Sequence, residues 1–92
     1  MLRLIAYDIA DPKRLHRVAE TCEDYGTRVQ YSLFECWLDA TTFQELWEKL
    51  QALIKRDEDR LVAYELDTTA ARNRLTAGTS MVCTKPETFV YV

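Results

Sequence analysis

Residues 2–9 are short, apolar and closed by Asp8, with Asp11-Pro12 just beyond, which is the pattern of a buried strand. Leu15, Val18, Ala19, Cys22 and Tyr25 then recur at helical spacing. Asp11 is placed to cap that helix, Pro12 suits its first turn, and Gly26 stands where a left-handed C-terminal residue is expected. Arg28–Asp39 is rich in β-branched and aromatic residues, yet its apolar parity changes partway. Val29, Tyr31 and Leu33 fall on one alternation, and Phe34, Cys36 and Leu38 on the other. A bulge or turn near Tyr31-Ser32-Leu33 restores a single face.

The second helix carries a wide stripe of Phe43, Leu46, Trp47, Leu50, Leu53 and Ile54, with Thr42 and Glu45 read as its capping box. Lys55-Arg56-Asp57-Glu58-Asp59 reads as a solvated turn without a function. Arg60–Leu66 is a further strand, with Val62, Tyr64 and Leu66 on one side. Residues 68–79 form a polar connection with room for one helical turn. Met81–Cys83 and Phe89–Val92 are strand-like pieces parted by Lys85-Pro86. The order predicts an α+β fold, with two helices on one face of an antiparallel sheet.

With 92 residues the chain holds one domain, 1–92, and a core of marginal size. Its 48% apolar content leaves surface for a second subunit, so a homodimer is expected, with residues 80–92 pairing across it to protect a terminal strand edge. Twelve basic residues against fifteen acidic ones create no global field for nucleic acid, so any such binding is local. Lys13, Arg14 and Arg17 lie on the first turns of the first helix, where the helix dipole disfavours cations. A charge run is most often a solvated face, but local stability does not explain these cations, and a phosphate does. Cys22, Cys36 and Cys83 are too widely spaced for a zinc site and odd in number, so they read as reduced thiols. Neither a signal peptide nor a membrane span is expected, and the expected location is the cytoplasm.

No glycine loop for phosphate, no H-E-x-x-H and no nucleophilic triad can be assembled from these residues. His16, the single histidine, reads as a surface residue. The strand-end carboxylate of Asp8 remains. It can hold Mg²⁺ beside a phosphodiester, with a second Asp8 across a two-fold axis supplying the further ligand that one carboxylate lacks. It can also cap a turn or pair with Arg14 or Arg17.

Tyr7-Asp8-Ile9, then Lys13-Arg14-Leu15 with Arg17-Val18, then Cys22-Glu23-Asp24-Tyr25-Gly26, then the run from Arg28 to Cys36 closely resemble the small CRISPR-associated Cas-two family. The resemblance implies a ferredoxin-like βαββαβ fold with an extra C-terminal strand, in homodimers where that strand pairs with the other subunit. It implies a metal at Asp8, with Tyr7, Arg17, Arg28 and Phe34 at positions tied to activity. It also implies Mg²⁺-dependent cleavage of single-stranded RNA or double-stranded DNA, and a part in acquiring new spacers with the CRISPR-associated integrase. Where some members carry an arginine two residues before Arg17, this chain has Leu15. Two roles are therefore weighed. One is an endonuclease with Mg²⁺ at Asp8, Arg17 and Arg28 stabilising the transition-state charge, and Lys13 and Arg14 gripping the backbone. The other is a non-catalytic adaptor that bridges integrase subunits and binds DNA by charge.

Overall fold

The first strand, β1, is Leu2–Asp8, followed by helix α1 over Pro12–Glu23, strand β2 over Thr27–Gln30 and strand β3 over Leu33–Trp37. Helix α2 is Ala40–Leu53, strand β4 is Arg60–Leu66, and a single turn of helix, α3, spans Thr68–Arg72. The computed structural model describes residues 1–78. The expected strands at Met81–Cys83 and Phe89–Val92, Cys83 itself and the pairing of residues 80–92 across a dimer lie outside the described residues.

The sheet order is β2-β3-β1-β4 with every pairing antiparallel, the ferredoxin-like βαββαβ arrangement. The parity change between Arg28 and Asp39 is resolved as expected. The chain turns at Tyr31 and Ser32, and a register irregularity between Arg28 and Gln30 places the two strands. The Tyr7 backbone N–H donates to the Ser32 carbonyl at 3.2 Å, which ties that turn to β1.

One face of the sheet carries both helices. Ile5, Tyr7 and Ile9 meet Val18, Ala19 and Cys22 of α1, Phe34 and Cys36 of β3, and Leu46 and Leu50 of α2. Arg3 shares that parity and is almost wholly buried, its guanidinium 4.6 Å from the Phe43 ring centroid and paired with Glu65, its cross-strand neighbour. The alternate residues Leu4, Ala6 and Asp8 point to the opposite face. There Leu4, Ala6, Leu33 and Val62 are half-buried and Tyr64 is exposed, leaving an apolar strip uncovered by helix. At one end of this face Arg74, just beyond α3, pairs with the buried Glu35.

Three local expectations are corrected. Gly26 is not a left-handed cap, since Gly78 has the only positive φ among the described residues. The α1 helix closes instead with the Asp24 N–H on the carbonyls of Cys22 and Thr21. Gly26 is required because a side chain there would run into the Cys36 sulfur and the Glu35 carbonyl of β3. At α2 the N-cap is Asp39, accepting from the Thr42 N–H at 2.7 Å, rather than Thr42 with Glu45. Asp39 stands one turn earlier and accepts more strongly as a carboxylate, while Glu45 instead approaches Lys49 at 3.6 Å. The turn through Lys55–Asp59 is not wholly solvated, because Asp59 is buried. Among the described residues no helix is long and apolar enough to cross a membrane.

Candidate functional site

Asp8 ends β1 with its backbone opposite Arg60 of β4 and its side chain exposed. Its carboxylate makes no hydrogen bond or ion pair among the described residues. The capping work is done by Asp11, whose Oδ2 accepts from the Arg14 N–H at 2.9 Å. The two structural alternatives for Asp8, a cap or a bridge to Arg14 or Arg17, are therefore not realised.

Arg14 is engaged elsewhere. Its Nε lies 2.9 Å from Asp59 Oδ2 and its Nη2 lies 3.0 Å from Glu58 Oε1. Hydrogen bonds to these acids raise the Arg14 pKa still further, and the Arg14 guanidinium holds the Asp59 carboxyl well below the usual carboxylate range. The cation expected to meet a phosphate is thus a fastener between α1 and the α2–β4 turn. Lys13 and Arg17, by contrast, are exposed and have no side-chain partner among the described residues. His16 is exposed and sits 3.4 Å from Glu20 one turn on.

Tyr7, Phe34 and Arg28 are brought together on the helix-bearing side. Tyr7 and Phe34 stack at 6.2 Å between centroids, and the Arg28 guanidinium lies 5.4 Å from the Phe34 centroid. Burial raises the Tyr7 phenol pKa while the adjacent Arg28 opposes that rise. Phe34 is wholly buried, so it can touch no substrate and instead holds its two neighbours in place. Asp8 is the next residue after Tyr7 but faces the other way, so the structure divides the expected site residues between two sides of the sheet.

Asp59 is the residue that sequence reasoning missed. It sits among alternating charges that read as solvent-facing, and its partner is 45 positions away. The only local signal is its place directly before the first residue of β4. For a metal, Asp8 offers one hard oxygen donor, which suits an ion such as Mg²⁺ that keeps several waters. No group of three His, Cys, Asp or Glu side chains that could hold a metal occurs among the described residues, so one chain provides an incomplete donor set.

Comparison with known proteins agrees with this arrangement. The family described as CRISPR associated protein Cas2 matches residues 1–74. A CRISPR-associated endoribonuclease Cas2 of Chloroflexus aurantiacus is 38% identical over 86 residues, covering 94% of this chain and 92% of that one. A CRISPR-associated endonuclease Cas2 of Halalkalibacterium halodurans is 44% identical over 71 residues, covering 72% and 74%. The crystal structure of Streptococcus pyogenes Cas2 superposes with a TM-score of 0.76 at 36% identity, covering 85% of this chain and 100% of that one. With β1, its terminal aspartate and the antiparallel ferredoxin-like sheet all inside the matched region, this chain belongs to the CRISPR-associated Cas2 family.

Proposed function

We propose that this protein works as a homodimer in CRISPR adaptation, taking part in the acquisition of new spacers with the CRISPR-associated integrase, and that Asp8 gives it metal-dependent endonuclease activity on single-stranded RNA or double-stranded DNA. The observation that carries the enzymatic part is the idle carboxylate of Asp8. Asp11, Asp39 and Asp67 each cap a helix and Asp59 fastens Arg14, whereas Asp8 is exposed and does no structural work. The named activities of the relatives, endoribonuclease and endonuclease, support the same reading.

The homodimer is supported by the apolar strip of Leu4, Ala6, Leu33, Val62 and Tyr64 on the face that carries Asp8. A two-fold pairing over that face brings two Asp8 carboxylates toward one axis and completes a donor set that one chain lacks. Asp8 would hold Mg²⁺, which supplies a Lewis acid for the phosphodiester when bound. Lys13 and Arg17 bind backbone phosphates by charge, without reading bases. The reduced, buried Cys22 and Cys36 fit a cytoplasmic setting.

The adaptor reading is favoured by the absence of a three-ligand metal group among the described residues. Asp8→Asn separates the two. In the enzyme reading, cleavage of RNA and duplex DNA in Mg²⁺ is abolished while integrase binding persists. Cleavage that survives the substitution removes Asp8 from catalysis and leaves the adaptor.

A further inference from the structure

Pro12, Leu15 and Ala19 of α1 face Tyr7, Arg28 and Tyr31 across a cleft of about 330 Å³ on the helix-bearing side of the sheet. That volume lies in the range of small-ligand pockets. Three features of its lining are unexplained by folding. The Tyr7 side chain is 94% buried by the residue's 6% exposure, yet its hydroxyl has no hydrogen-bond partner. The neighbouring cation, Arg28, can only donate, so whatever it contributes, the phenolic hydrogen still lacks an acceptor. Tyr31, at the tip of the β2–β3 turn, is 72% exposed, a large aromatic surface held in water beside the opening.

A buried donor without an acceptor is costly, and the group that would satisfy it must bring an oxygen. Arg28 beside it selects an anionic oxygen, and Tyr31 with the apolar wall of α1 selects a flat ring attached to it. We propose that this cleft is a subsite for one nucleotide unit of a nucleic-acid strand. The Tyr7 hydroxyl and the Arg28 guanidinium donate to a phosphate oxygen, and the base lies on the Tyr31 ring. Stacking accepts any base, and of the lining side chains only His16 at the rim could reach a base edge, so the subsite does not select sequence. A simple carboxylate would satisfy Tyr7 and Arg28 but leave Tyr31 unused. The subsite rests on the reading of this chain as a nucleic-acid-binding protein. It is distinct from Asp8, which projects from the opposite face of the same strand.

The test is binding of uridine 5′-monophosphate to the full chain, with inorganic phosphate, uridine and acetate as separate probes, followed by amide NMR in a chelating buffer. Without divalent metal there is no cleavage to confuse the readout, so failure here is distinguishable from failure of the Asp8 reading. The monophosphate is expected to shift amides near Leu15, Arg28 and Tyr31, and to bind more tightly than phosphate or uridine. Tyr7→Phe keeps the ring on Phe34 and removes only the donor, and it should weaken the monophosphate about tenfold. Tyr31→Ala, at an exposed position, should weaken the monophosphate roughly fivefold or more while leaving inorganic phosphate unchanged. Unchanged affinity in Tyr7→Phe, equal affinity for acetate and the monophosphate, or no shift at those amides would overturn the proposal.

Discussion

Arg14 and Asp59, 45 residues apart, close onto one another so that a single carboxylate binds three segments of the chain. Asp59 Oδ2 accepts from Arg14 Nε at 2.9 Å and from the Lys55 N–H at 2.8 Å. Its Oδ1 accepts from Arg14 Nη2 at 3.2 Å and from the Ala10 N–H at 2.9 Å. The four acceptor positions of a carboxylate are thereby filled. The segment from Ala10 to Asp11 leads directly out of Asp8, so this fastening also sets where β1 ends and α1 begins.

Removing one partner should leave the other buried and poorly satisfied. Asp59→Ala and Arg14→Ala are each expected to lower the Tm by roughly 5–10 °C, and the double variant by little more than either alone. Thermal unfolding of the three variants checks this. Additive losses would show that the two side chains stabilise the fold independently.

Acid should loosen the same contact. Because Asp59 titrates in the folded protein well below its unfolded value, its stabilising contribution is complete above pH of about 4 and is lost as pH falls from there toward the folded pKa. The depressed pKa values of Asp39, from the Thr42 N–H, and of Glu58, from Lys55, act in the same direction. Urea midpoints measured between pH 5 and 2 should fall more steeply for the native protein than for Asp59→Asn.

The elements that were legible in the sequence are those whose signal is local. The periodicity of Leu15, Val18, Ala19 and Cys22, the Asp11-Pro12 start and the parity break near Tyr31 each report on a few neighbouring residues, and each appears in the structure where expected. Asp59 and Arg14 were not legible, because nothing near either residue announces the other. Gly26 was assigned to a helix cap because caps are the commonest local use of glycine, whereas its actual constraint is a strand nine and ten residues downstream. Capping at α2 was misassigned by three residues because Asp39 and Thr42 are both competent, and only backbone geometry decides between them. For the candidate site, Asp8 could be singled out as a strand-end acid, but its freedom from partners is a property of the folded surroundings.

Gly26→Ala should be destabilising by about 1–3 kcal/mol, the scale of forced overpacking. The added methyl meets both the Cys36 sulfur and the Glu35 carbonyl. Combining it with Cys36→Ala relieves only the sulfur, so chemical denaturation should show partial and not full recovery.

Cys22 should resist alkylation in the folded protein. Burial pushes its thiol up to about 12, so almost no thiolate is present at pH 8, and the side chain is wholly shielded. Peptide mapping after iodoacetamide treatment should find Cys22 unmodified in native buffer and modified in denaturant. Rapid labelling of Cys22 without denaturant would contradict the packing of α1.

Asp8→Asn should leave stability within about 0.5 kcal/mol of the parent, because it removes no contact among the described residues. Equilibrium unfolding of the variant measures this apart from any activity. A loss above 1 kcal/mol would mean that the carboxylate serves the fold after all.

The pleat of β1 assigns adjacent residues to opposite sides, Tyr7 to the cleft and Asp8 to the bare face. This makes the strand a two-channel reading frame. Dropping or adding one residue between Leu2 and Tyr7 would send the phenol outward and the acid into the core, disabling both sides at once. Two such steps would restore the parity but shift both groups along the sheet by about 7 Å. The spacing of β1 is therefore under constraint from two surfaces that never touch, and the strand can tolerate exchange of its side chains far better than any change in its length.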